Sequence, residues 1–126
     1  MAHHAYGIYL HLTWHTFRRR RLINRDGAEH VLACIDEASR RTGVHVHEKS
    51  VLSDHVHLIA SIRPDMPLSP FVRHAKSESA RRINDGAAVF QWARGYYVGS
   101  LSRSHVSRAC AYVAGQHRRH PDRLPE

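Results

Sequence analysis

Two imidazoles stand two residues apart in Ser53-Asp54-His55-Val56-His57-Leu58-Ile59, at the start of an apolar run. Strand side chains alternate between faces, so His55 and His57 share one face while Val56, Leu58, Ala60 and Ile62 share the other. One face is suited to burial and the other to holding a metal ion, because neutral imidazole is a common ligand and a strand orients two without loop freedom. A second pair, His45-Val46-His47, lies just upstream. With 13 histidines in the chain, spacing alone does not choose between metal ligation and polar, partly exposed strand positions. Further on, Tyr112 and Gln116 are four residues apart and share a helix face, with Ala109 and Val113 free to pack inward. That pairing joins a hydroxyl nucleophile to an amide oxygen able to complete a metal site begun by His55 and His57. Taken alone, it is an ordinary feature of an amphipathic helix.

The elements that must position these groups follow from local patterning. Tyr6 to Phe17 is aromatic, β-branched and alternating, which predicts a first strand running into the basic turn Arg18 to Arg21. Asp26-Gly27-Ala28-Glu29 offers an N-cap carboxylate and an acid three residues later, ahead of Val31, Leu32, Ile35 and Ala38 at helical spacing. Gly43 is the natural stop for that helix. Val44 to Leu52 and His55 to Ile62 read as a hairpin turning at Ser53-Asp54. Ser69-Pro70 predicts a capped helix start, and Phe71, Val72, Ala75, Ser79 and Ile83 mark its inner stripe. Its other side carries Arg73, Lys76, Arg81 and Arg82, expected to be mostly solvated. After Asn84-Asp85-Gly86, the stretch Phe90 to Leu101 predicts one or two short strands. Ser102 or Ser104 then caps a last helix through about His117, and the tail from Pro121 is expected to fray. The order corresponds to an α+β, ferredoxin-like antiparallel sheet (βαββαβ) with an additional C-terminal helix. Its helices cover one sheet face and leave the other for His55 and His57.

The 126 residues suffice for one domain, expected to span 1–126, with a core that needs no disulfides. Cys34 and Cys110 stand apart without a Cys-x-x-Cys, which argues against zinc-finger and thioredoxin chemistry and suits a reducing compartment; Cys34 falls in the apolar stripe of a helix. Met1-Ala2-His3-His4 lacks the character of a secretory leader, and no run approaches the roughly eighteen apolar residues of a membrane span, so a cytoplasmic protein is expected. The formal net charge of +8 favours a polyanionic partner. Arginines concentrate at Arg18 to Arg21, at Arg81-Arg82 and around Arg118-Arg119, with Trp14, Phe17, Trp92, Tyr96 and Tyr97 interspersed. Guanidinium forks bind phosphate and aromatic faces stack on unpaired bases, so single-stranded or looped nucleic acid is the expected partner.

Four stretches, in order along the chain, together resemble one family. They are His11-Leu12-Thr13-Trp14-His15-Thr16, Ser53-Asp54-His55-Val56-His57-Leu58-Ile59, Lys76-Ser77-Glu78-Ser79-Ala80-Arg81 and Tyr112-Val113-Ala114-Gly115-Gln116. The chain is similar to the single-tyrosine HUH transposases of bacterial insertion sequences and the REP-associated tyrosine transposases. HUH denotes His, a bulky apolar residue, His. The resemblance implies His55, His57 and Gln116 as metal ligands and Tyr112 as the nucleophile, and it selects His55-His57 over His45-His47. Gly115 stands where relatives often carry Asn, and Phe17 where many carry Lys. A glycine there weakens the helix by about 1 kcal/mol relative to Ala.

The implied reaction is attack of Tyr112 on a single-stranded DNA phosphodiester at hairpin-marked element ends, leaving a 5′-phosphotyrosine and a free 3′-hydroxyl. A phenol of reference pKa near 10 is only about a thousandth ionised at neutral pH, so activation is needed. The implied cofactor is Mn2+ or Mg2+, although imidazole ligands as such favour zinc, nickel or copper. The implied partners are single-stranded DNA hairpins and a second copy of the chain in a homodimer, with no membrane. The alternatives are a non-catalytic nucleic-acid-binding protein of the same fold, a metal-dependent hydrolase using water in place of Tyr112, and a structural zinc protein.

Overall fold

The computed structural model describes residues 7–85 and 89–126. Met1-Ala2-His3-His4, Tyr6 of the expected first strand and Gly86 of the expected turn lie outside the described residues. The elements are β1 (Ile8–His15), α1 (Arg25–Thr42), β2 (His45–Val51), β3 (His55–Ile62), α2 (Ser69–Asn84), β4 (Tyr97–Leu101), α3 (Val106–Ala114) and the short α4 (Gln116–Arg119). Single 3-10 turns occupy Phe17–Arg19, Arg103–His105 and Pro121–Arg123. The strands form one sheet in the order β2-β3-β1-β4 with every neighbouring pair antiparallel. This is the expected α+β arrangement. Each helical crossover returns to a strand parallel to the one it left, with an antiparallel strand inserted between them.

The core follows from alternation along the two central strands. Leu10, Leu12 and Trp14 of β1 and Val56, Leu58 and Ala60 of β3 point to one face. There they join Val31, Ile35 and Ala38 of α1 and Phe71, Val72 and Ala75 of α2 in a single buried cluster. Cys34 is fully buried. On the opposite face α3 packs across β2 and β3. Ile59 and Val113 are accordingly buried although they stand outside the main cluster. Trp92 is core as well: its indole N–H donates to Ser79 Oγ at 3.0 Å, and its ring meets Trp14 and Phe90 edge-on.

Several boundaries differ from the local expectation. Helix α1 starts at Arg25, where Asn24 Oδ1 accepts from the Gly27 N–H at 2.8 Å, so the cap is Asn24 rather than Asp26. Its end is as expected, with Gly43 left-handed at φ 84°. Helix α2 begins one residue early, with Leu68 at the cap and no side-chain cap bond, so Ser69 does not serve as its cap. Within 90–101 only Tyr97–Leu101 is a strand; Trp92 makes an isolated bridge to Thr16, and Gly95 turns the chain at φ 77°. The last helix breaks at Gly115 rather than running on to His117. The tail is tied rather than frayed: Ser53 N–H donates to Arg123 O at 2.7 Å, a tertiary contact no local pattern announces.

The basic side of α2 is solvated at Arg73 and Arg81 and half-buried at Lys76 and Arg82. Arg82 bridges Glu37 and Glu78, Arg81 pairs with Glu78, and Lys76 Nζ donates to Ala93 O and Gly95 O at 2.8 and 2.7 Å. Leu12→Ala removes side-chain volume at the centre of the sheet and is expected to cost about 2–5 kcal/mol in denaturant unfolding. Gly43→Ala brings a Cβ to 3.4 Å from the flexible end of Met66, an ordinary contact, and costs about 1–2 kcal/mol through backbone strain, measured in the same way.

Candidate functional site

The register of β1 on β3 sets His15 opposite His55 and Thr13 opposite His57, so His11, Thr13, His15, His55 and His57 share the sheet face away from the main core. The His55 and His57 rings lie 4.9 Å apart, nearly perpendicular at 81°. Each is held at Nδ1 by a different group. His55 Nδ1 is 2.6 Å from Asp54 Oδ1, and His57 Nδ1 is 3.1 Å from His11 Nε2. Asp54 is fully buried, and its other oxygen accepts from the Arg123 guanidinium at 2.5 Å. Burial opposes ionisation of this carboxyl, but the hydrogen bond and charge of His55, together with Arg123, outweigh it and hold its pKa below the ordinary value. A carboxylate accepts only, so His55 donates its Nδ1 proton to Asp54, which leaves Nε2 as the ring nitrogen facing away from the carboxylate.

Burial, then the nearby His55, His11, His120 and Arg19, push His57 down to a pKa of about 4. Burial lowers His11 too, and burial with Arg19 and Lys76 lowers His15. Near neutral pH these rings are uncharged, which is the form that binds metal.

Helix α3 brings Tyr112 to this face. Its ring centroid lies 5.9 Å from that of His57 and 6.3 Å from that of His11, both edge-on, and the residue is 40% exposed. The Arg119 guanidinium sits 5.0 Å over the ring. Gly115 interrupts the helix between Tyr112 and Gln116, yet the two residues stay joined by Gln116 Nε2 donating to Tyr112 O at 3.2 Å. His117 Nε2 reaches Val51 O at 2.7 Å and pins α4 to the end of β2. Gln116 is fully buried, and its Oε1 has no hydrogen-bond partner. An orphaned buried amide oxygen is costly unless something electropositive meets it. Two imidazoles and this oxygen form a donor set that fits a divalent cation with open positions. Among the described residues no three His, Cys, Asp or Glu side chains group for a metal.

The structure therefore brings together His55, His57 and Tyr112, and ties Gln116 to Tyr112. His45 and His47 stand elsewhere, exposed, beside an open cleft with Tyr9, Ser61 and Arg63; His47 Nε2 lies 2.8 Å from Ser61 Oγ. From the sequence, His11 stood only within a family-like stretch and Arg119 only within a basic segment, and Arg123 had no role. The alternation His11, Thr13, His15 was a readable sign for the first of these, whereas Arg119 and Arg123 are placed by tertiary contacts.

An unfolded imidazole protonates near 6.5 and folded His57 only near 4. Between those values the unfolded chain binds more protons, so stability falls as pH drops through the window and levels off below it. Denaturant unfolding of the metal-free protein across this window is expected to show the loss, and a His57→Gln variant a smaller one.

In sequence and fold the chain is similar to known proteins. The ISDra2 transposase TnpA of Deinococcus radiodurans is 24% identical over 122 residues, covering 90% of this chain and 87% of that protein. A REP-associated tyrosine transposase solved bound to a REP hairpin has the same fold, with a TM-score of 0.74 at 16% identity over 90% of this chain and 68% of that one. The crystal structure of a candidate transposase from Deinococcus radiodurans R1 superposes with a TM-score of 0.66 at 23% identity, covering 89% and 92% of the two chains. The family of IS200-like transposases matches residues 4–116, nearly the whole chain, and the protein belongs to that family.

Proposed function

We propose that this chain is a strand transferase for single-stranded DNA, in which Tyr112 cleaves and rejoins the strand at hairpin-marked element ends. The observation that carries this is the placement of a half-exposed tyrosine edge-on to His57, one turn from a buried amide oxygen without a partner. His55, His57 and Gln116 would hold a divalent cation, Mn2+ or Mg2+. When bound, such an ion supplies charge neutralisation at a non-bridging phosphate oxygen.

The chain's own residues perform the rest. Tyr112 Oη forms a bond to phosphorus as the bond to the 3′-oxygen breaks; the phenolic proton passes to solvent, and the 3′-oxygen takes a proton from solvent and leaves as a hydroxyl. Arg119, stacked on the tyrosine ring, holds it in place and sets a positive charge beside the phosphate that arrives there. Asp54 and His11 hold the two imidazoles in orientation. The 5′-phosphotyrosine keeps the energy of the original phosphodiester, so a second 3′-hydroxyl can reverse the step without ATP.

The exposed arginines Arg18, Arg19 and Arg20 follow directly from the end of β1 and suit a phosphate backbone near the site. A DNA hairpin as ligand is supported by the REP hairpin bound in the solved relative, and a homodimer is part of the same proposal. The non-catalytic binder of the same fold is less well supported, because it leaves the juxtaposition of Tyr112 and His57 without a use.

Incubation with Mn2+ and labelled single-stranded hairpins from the DNA flanking its gene, followed by denaturing electrophoresis, tests the proposal. A protease-sensitive, slow-migrating adduct is expected for the wild type and none for Tyr112→Phe, with EDTA abolishing the adduct. Cleavage that survives Tyr112→Phe identifies a water-using hydrolase, and tight binding without cleavage identifies the non-catalytic binder.

A further inference from the structure

We infer that His11 is a positioning residue of the proposed metal centre: its Nε2 accepts the Nδ1 proton of His57 and thereby turns the His57 Nε2 lone pair toward the metal. The inference rests on the assignment of His57 as a ligand. A neutral imidazole has one protonated and one bare nitrogen, and only the bare one can ligate. In a half-buried setting the protonated nitrogen needs an acceptor, and the group within reach is His11 Nε2, at 3.1 Å. The two rings lie 5.3 Å apart and are tilted by 32°, so the hydrogen bond runs between ring edges and not through a stacked pair.

The sheet makes this contact possible. His57 is opposite Thr13 in the β1–β3 register, which places His11 diagonally across, on the same face. His55 has an anionic acceptor in Asp54, from its own strand turn; His57 has a neutral one, from the neighbouring strand. The two candidate ligands are thus set by independent elements, and the orientation of His57 depends on β1 staying in register. Without His11 the ring is free to adopt the other tautomer or to flip, presenting a protonated nitrogen to the metal.

The test is a titration of wild type, His11→Leu and His11→Gln with Mn2+, following the free-ion EPR signal. Partners of metal-bound histidines typically contribute about 10–100-fold to metal affinity. His11→Leu is expected to weaken binding by that factor, and His11→Gln, which restores an acceptor near the Nε2 position, to recover most of it. Equal affinity in wild type and His11→Leu overturns the inference while leaving the metal site standing, as does a His11→Gln variant no better than His11→Leu. No Mn2+ binding by the wild type overturns the metal site itself, and the inference with it. Should the leucine variant fail to fold, long-range 1H–15N correlation on the wild-type protein reads the same point. A proton on His57 Nδ1 supports the inference, and one on Nε2 overturns it.

Discussion

A carboxylate withdrawn from water must be paired, and the pairing of Asp54 organises this molecule. It sits at the β2–β3 turn, fully buried, with one oxygen on His55 and the other on Arg123 near the end of the chain. Its backbone carbonyl accepts from the Thr16 N–H at 2.9 Å, just where β1 ends. One residue therefore ties together the start of the histidine strand, the exit of the neighbouring strand and the C-terminal turn. Removing a partner from a buried charge is strongly unfavourable, so the three segments are held more tightly than the short 3-10 turn at Pro121–Arg123 would suggest.

The charge distribution around this anchor divides the arginines into two groups. Arg81, Arg82 and Arg123 are engaged with Glu78, Glu37 and Asp54, and serve the fold. Arg18 and Arg19 both carry a backbone φ of 54°, a left-handed conformation that costs residues with a Cβ energy. Their turn is braced by the Phe17 ring, over which Arg18 and Arg20 lie at 5.0 and 5.9 Å. The positive charge of Arg19 is among the influences that keep His15 and His57 neutral. A strained basic turn beside these imidazoles suits the anionic strand of the proposed function.

The tyrosine helix reconciles exposure with attachment. Tyr112, the proposed nucleophile, is partly open, whereas Gln116, one turn later, is sealed. Gly115 between them ends α3, and α4 restarts at once, pinned through His117 to the end of β2. The break falls where helix propensity is weakest, and Gln116 stays tied to the last turn of α3 through its bond to Tyr112 O.

Much of this was legible in the sequence. Alternation along β3 separated the histidine face from the core, the α1 and α2 stripes marked the covering helices, and Gly43 marked a stop that only a left-handed residue provides. The resemblance carried by His55-Val56-His57 with Tyr112 and Gln116 pointed to the candidate site, whereas strand and helix periodicities told only which neighbours in sequence share a face. Those periodicities are silent about strand register and long-range closure. Only the folded chain decides that His11 meets His57, that Arg123 returns to Asp54, that Trp92 belongs to the core, and that Asn24 in place of Asp26 caps α1. The first three contacts join residues distant along the chain, and the fourth depends on where the preceding turn leaves the backbone. The sequence by itself determines which residues can do chemistry and which face they share, since that is local geometry. Their partners are decided by the tertiary structure, because burial and pairing depend on what the rest of the chain brings to the same place.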